Sequence, residues 1–179
     1  DKGVRDLGLI DALNEKLDFM DIESVIFDEV QPDPPDYVIN KAAEFALSEK
    51  IDGIIGMGGG SAMDTAKDIN LLINNPGPIN KYFGRVPYKP GVPVVCIATT
   101  AGTGCEQSAG SVITDTSKNA KAALSTEAPT LAIVDPELTF GLPPKLTLNA
   151  GLDALAHSME VVTSIAPSYY TQILMLDGI

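Results

Sequence analysis

Basic residues are scarce in this chain of 179 residues: 12 Lys plus Arg stand against 24 Asp plus Glu, a formal net charge of -12. A surface of that sign repels phosphate backbones and anionic lipid heads, so nucleic acid is not an expected partner. No uncharged apolar stretch approaches the ~20 residues of a membrane-spanning helix, and no membrane partner is expected either. Cysteine is nearly absent. Cys96 and Cys105 form no Cys-x-x-Cys pair, which leaves neither a disulfide framework nor a thiolate zinc site to read. No cationic leader followed by an apolar core opens the sequence, and together with the cysteine usage this points to a cytoplasmic protein. His157 is the single histidine, so a His-rich metal set cannot be built from this chain alone. The apolar stock, by contrast, is ample. At 45% hydrophobic residues with 5 Phe and 5 Tyr, the composition is that of a packed globule and too rich for a disordered segment.

Two periodicities alternate along the chain. Leu7, Ile10, Leu13, Leu17 and Met20 recur at helical spacing, and residues 24–30 then read as a short strand ended by Pro32, Pro34 and Pro35. Val38, Ala42, Phe45 and Ala46 predict a helix, residues 51–57 a strand, and Ala62, Ala66, Ile69 and Ile73 a further helix. Residues 74–93, crowded with Asn, Pro and Gly, predict a long loop. Residues 92–98 are almost wholly apolar, as in a strand covered on both faces, with shorter strand candidates at 112–114 and 131–134. Strands alternating with helices predict βαβ units and an α/β fold with a parallel sheet. After Pro143 and Pro144 only helical spacing continues, in Leu146, Leu152, Leu155, Met159 and Val162. The expected organisation is a nucleotide-binding α/β domain over residues 1–144, followed by the start of a helical domain over 145–179. Because the chain opens on Asp1 and stops at Ile179 shortly after a helical pattern, a piece of a longer polypeptide is expected.

Three stretches carry residue types suited to chemistry. Gly58-Gly59-Gly60-Ser61 follows a buried strand and opens a helix, where glycines let a backbone approach a ligand and free helix N–H groups favour an anion such as pyrophosphate. The same run also reads as a plain turn, with Ser61 as N-cap and Asp64 completing a capping-box-like pair. Thr99-Thr100-Ala101-Gly102-Thr103-Gly104-Cys105-Glu106 lies at the end of another apolar strand, where ligands of open α/β sheets bind; its threonines could instead satisfy their own backbone. Cys105 has no cationic neighbour in sequence and reads as a packing residue. Asp153 and His157 are spaced i and i+4, so on a helix they share a face and can grip one divalent cation; the alternative is a solvated helix pair. Glu160 reads as a surface carboxylate.

Gly58 through Lys67, Thr99 through Glu106, Asp135-Pro136-Glu137-Leu138-Thr139 and Gly151 through His157, taken in this order, resemble the iron-containing (group III) metal-dependent alcohol dehydrogenases. The resemblance covers essentially all of the chain and about the middle half of a family member, the first strand and most of the helical domain being expected outside it. It implies a Rossmann-like cofactor domain and NAD as cofactor, with NADP also compatible. Asp1 matches the acidic residue that contacts the adenosine ribose. Gly59, Gly60 and Ser61 match the pyrophosphate loop with Asp64 in the same motif. Thr99, Thr100 and Thr103 match the loop at the nicotinamide half, and Lys121 a cofactor-side lysine. Asp153 and His157 match the first two metal ligands, for Fe²⁺ by resemblance, with Zn²⁺ or Mn²⁺ also suited to such donors. Cys105 stands where the family usually has serine. The family's two further ligating histidines have no counterpart here and lie beyond Ile179 or are absent. The implied activity is interconversion of an alcohol with an aldehyde or ketone, on a small-molecule substrate, in a protein that can be a homo-oligomer. A polyol dehydrogenase, a sugar-phosphate cyclase and a non-catalytic dinucleotide-binding module are the competing readings.

Overall fold

The structure, a computed structural model, describes residues 1–165 and 168–179. Three parallel strands form its sheet: β1 (Ile54–Gly58), β2 (Val94–Ala98) and β5 (Leu131–Val134), in the order β1-β2-β5 with Gly58 level with Ala98 and Ala98 level with Val134. The continuous apolar runs that predict these strands suit a sheet covered on both faces. Helix α4 (Gly60–Ile73) springs directly from the tip of β1 and is buried along nearly its whole circumference from Ala62 to Leu72. Met63 and Ala66 pack on Val94, Cys96 and Ala98, while α3 (Asp36–Glu49) closes the other side of α4 through Ala42, Ala46 and Ile69.

Gly56 marks where strand and helix approach closest. A Cβ there would lie 2.7 Å from Ala66 Cβ and 3.3 Å from Met63 Cα, so any larger residue would push α4 off the sheet.

Four local expectations need correction. The helical stripe from Leu7 to Met20 is two helices, α1 (Lys2–Asp6) and α2 (Leu9–Phe19), because Gly8 takes φ +74° between them. Residues 24–30 form no strand; with no ladder partner beside them, Val25 and Ile26 stay half exposed, although Phe27 stacks on Phe45 at 5.9 Å. A groove of about 770 Å³ separates this segment from the free edge of β1. Residues 112–114 belong to β3 (Ser111–Asp115), which pairs antiparallel with an unanticipated β4 (Ala120–Leu124) in a hairpin outside the parallel sheet. The long loop over 74–93 contains a short 3-10 turn, Ile79–Tyr82, whose Ile79 is fully buried under α3.

Past β5 the chain runs through a 3-10 turn, Pro136–Thr139, into α5 (Pro144–Thr163), which starts with proline at its first position, and then α6 (Tyr169–Asp177) packed against it. Among the described residues of α5 only Ser158 is buried. No helix among the described residues is long and apolar enough to cross a membrane.

Burial gives α4 a titratable interior. Asp68 is fully buried, and loss of water pushes its carboxyl up to about 8, with Asp64 adding to the rise, while a hydrogen bond donated by Ser111 Oγ opposes it. Between those pH values the folded state therefore holds a proton that the unfolded chain, with an ordinary carboxyl value of 3.8, has released. Stability linked to this group is whole below the lower value and is lost as pH rises toward the upper one, by at most about 1.4 kcal/mol per pH unit. Asp68→Asn, neutral at every pH, is expected to flatten the pH dependence of the urea midpoint between pH 5 and 8. An unchanged slope would assign the dependence to other groups.

Candidate functional site

Gly58 ends β1 at φ +148°, a conformation open to glycine, and a Cβ on it would meet Ala62 Cβ at 2.8 Å. That turn makes Gly59 the N-cap of α4, with no side chain capping it. The capping alternative is thereby corrected: Ser61 is the second helical residue, and its Oγ accepts from Asp33 N at 3.3 Å. Asp64 does not reach back to the cap. Its Oδ2 accepts from Val112 N at 3.0 Å, and Oδ1 pairs with Lys67 Nζ at 2.9 Å. With no side chain across it, the opening turn of α4 leaves backbone N–H groups and the positive end of the helix dipole facing outward.

The loop after β2 closes on this turn. Thr99 N donates to Gly58 O at 3.0 Å. A Cβ on Gly59 would stand 3.3 Å from Thr100 Cγ2, and one on Gly60 would stand 3.1 Å from Thr103 Cγ2 and 3.2 Å from Cys105 Sγ. The two glycines thus line a cradle that side chains would fill. Of the threonines, Thr103 does cap its own loop, accepting from Cys105 N at 3.3 Å, whereas Thr100 Oγ1 is buried and has no partner among the described residues. Such an orphaned hydroxyl beside glycine backbone suits a polar ligand atom. Burial pushes the Cys105 thiol up, with Asp64 adding to the rise; a thiol so placed is no nucleophile, in keeping with packing.

A cleft of about 560 Å³ opens between this turn, the hairpin and α5. Gly60, Ser61, Asp64, Thr103, Lys121, Asp153 and His157 all line it. The glycine turn and the Asp153–His157 pair therefore share one cleft. Gly59, Thr99 and Thr100 do not line it and lie at the strand tips, while Asp1 lines the groove beside β1. Asp1 Oδ1 accepts from Val4 N at 3.0 Å as the N-cap of α1, and its Oδ2 lies 3.3 Å from where a Gly58 Cβ would stand.

Asp153 and His157 project from one face of α5 with Oδ1 and Nε2 3.7 Å apart, both half exposed. A carboxylate oxygen and an imidazole nitrogen at that spacing fit two positions of a divalent site. Among the described residues no group of three or more His, Cys, Asp or Glu could hold a metal ion, so the pair is part of a donor set and not a whole one.

Two residues matter more here than sequence reasoning foresaw. Lys67, fully buried, donates to Cys105 O, Ser108 Oγ and Gly110 O and so ties the loop over 105–110 to α4. Asp33, read only as part of a strand-ending proline turn, reaches the cleft and pairs with Lys121. Only the flanking prolines, which stiffen the turn, hinted at a fixed position for it.

A parallel sheet with its glycine and hydroxyl loops at the carboxyl ends of adjacent strands is a Rossmann-like nucleotide-binding α/β domain. The chain belongs to the iron-containing alcohol dehydrogenase family, whose model matches residues 1–136. It is 41% identical over 183 residues to the sulfoacetaldehyde reductase of Bilophila wadsworthia (strain 3_1_6), covering 99% of this chain and 47% of that protein. To the NAD-dependent methanol dehydrogenase of Bacillus methanolicus it is 42% identical over 156 residues, covering 86% of this chain and 41% of the relative. Among solved structures, a 1,3-propanediol oxidoreductase superposes with a TM-score of 0.92 at 33% identity, covering 98% of this chain and 47% of that one. The chain spans about half the length of the relatives it matches.

Proposed function

We propose that the protein carrying this chain interconverts an alcohol with an aldehyde or ketone, using NAD, or NADP, and a divalent metal. The observation that carries the reading is the single cleft lined by both the helix-opening glycine turn and the Asp153–His157 pair. On this reading, residues 1–144 are the cofactor domain and 145–179 open a helical domain, with the groove beside β1 as the seat of the domain's first strand. Backbone N–H groups at Gly59, Gly60 and Ser61 bind the pyrophosphate. Thr99, Thr100 and Thr103 orient the nicotinamide half, Asp64 braces the turn from beneath, and Lys121 adds positive charge. Asp1 sits at the strand tips where a ribose would lie, and a carboxylate there favours NAD by repelling a 2′-phosphate.

The metal, Fe²⁺ by family with Zn²⁺ or Mn²⁺ also compatible, would be held by Asp153 and His157 with further donors, and supplies Lewis-acid polarisation of the substrate oxygen. The half-exposed faces of both residues open on the cleft, so substrate and dinucleotide meet there. A cytoplasmic location and a homo-oligomer go with this proposal.

In the full-length protein, Asp153→Asn is expected to lower bound metal at least tenfold and turnover in parallel, while NADH still binds. Metal content would be measured by elemental analysis beside an NADH fluorescence titration. Full turnover after complete metal removal would overturn the mechanism, and NADH binding without any metal would favour the non-catalytic module.

A further inference from the structure

Asp33 is the one cleft-lining carboxylate attached neither to α4 nor to α5. Its backbone is pinned on three sides. Asp33 N donates to Ser61 Oγ at 3.3 Å, Asp33 O accepts from Thr114 Oγ1 at 2.9 Å, and the next residue, the fully buried Pro34, accepts from Thr114 N at 2.9 Å. The residue itself stands at φ +52° between Pro32 and Pro34. A fixed backbone thus holds Asp33 beside the opening turn of α4, while its carboxylate remains 75% exposed. It pairs with Lys121, which β4 presents opposite Thr114 in the hairpin register and which is itself half exposed.

This arrangement conflicts with anion binding. The uncapped start of α4 attracts negative charge, and Lys121 is the cation that β4 brings to the same cleft. Asp33 occupies that cation and adds a like charge beside the place where a diphosphate would sit. Exposed ion pairs are weak, so a doubly charged ligand can take Lys121 over.

We propose that Asp33 sets the affinity of the cleft for the diphosphate of a nicotinamide dinucleotide, by sequestering Lys121 and setting its own charge against the ligand. The inference rests on the dinucleotide reading above. Binding of the diphosphate breaks the Asp33–Lys121 pair, and the cost appears as a weaker, salt-dependent dissociation constant.

The test is NADH fluorescence titration of the full-length protein as wild type, Asp33→Asn, Lys121→Gln and the double variant, in low salt and in about 0.5 M salt. Both side chains are exposed, so the fold should survive each change. Asp33→Asn is expected to tighten NADH binding about two- to fivefold in low salt and by less in high salt. The gain should shrink in the Lys121→Gln background, where no cation is left to release. Unchanged or weaker binding by Asp33→Asn overturns the proposal, as does an equal or larger gain without Lys121. A wild-type protein that binds no NADH overturns the dinucleotide reading itself and this proposal with it, whereas wild-type binding indifferent to Asp33→Asn overturns only this proposal.

Discussion

Gly102→Val in the full-length protein is expected to cut turnover about 100-fold while leaving NADH affinity within about threefold of wild type. Gly102 lies in the loop after β2 and touches α5: a Cβ there would stand 2.2 Å from Ala150 O, 2.8 Å from Ala150 C and 3.0 Å from Ala150 Cα. Backbone in a helix cannot step aside as a flexible side chain does, so α5 must move away from the loop. Ala150 is less than one turn before Asp153, and the shift carries the Asp153–His157 pair with it. The glycine turn that would grip the diphosphate faces Thr100, Thr103 and Cys105 and not Gly102 itself, so its grip is kept when α5, rather than the loop, gives way. A displacement on the order of 1 Å between donors and cofactor costs about 10² in rate. Metal content should fall along with turnover. Wild-type turnover in Gly102→Val would show that contact between loop and α5 does not hold the two halves of the site in register.

That contact is also where sequence reasoning stops. The apolar runs at β1 and β2, the helical stripes of α3 and α4, and the i, i+4 spacing of Asp153 and His157 are local patterns, readable because neighbours in sequence decide them. β4 escaped because Ala120-Lys121-Ala122-Ala123-Leu124 has no β-branched or aromatic residue; it is a strand only because β3 lies beside it. Residues 24–30 fail in the opposite sense, having strand composition without a neighbouring ladder. Gly8 was present in the first helical stripe, but periodicity alone does not register a break at one positive φ. In the site, the glycine turn and the threonine loop are legible as motifs, while their mutual distance is not. Asp33 and Lys121 are 88 residues apart, and only the hairpin folding over α4 brings them together.

Lys67→Met is expected to destabilise the protein by about 3–5 kcal/mol and to lower the melting temperature by about 10 °C. The Lys67 side chain is 1% exposed, and its ammonium satisfies Cys105 O at 3.2 Å, Ser108 Oγ at 3.1 Å and Gly110 O while pairing with Asp64 at 2.9 Å. Methionine fills much of the same volume, so the loss is electrostatic: Cys105 O, Ser108 Oγ and Gly110 O lose their ammonium donor, and the buried Asp64 carboxylate loses its ion pair. Asp68, one residue on, is also buried but holds its proton, so Asp64 is the carboxylate left without a cation when Lys67 is removed. Asp64 loses its counterion, yet it still accepts from Val112 N and so transmits the disturbance to β3. Freed from Lys67, the loop over 105–110 should loosen where it borders the cleft, and NADH binding should weaken beside the fall in stability. Removing both charges, as Asp64→Leu with Lys67→Met, should cost less than the sum of the single changes, because no uncompensated charge is then buried. Additive losses in thermal unfolding, or a Lys67→Met loss below about 1 kcal/mol, would mean that α4 is held by packing alone.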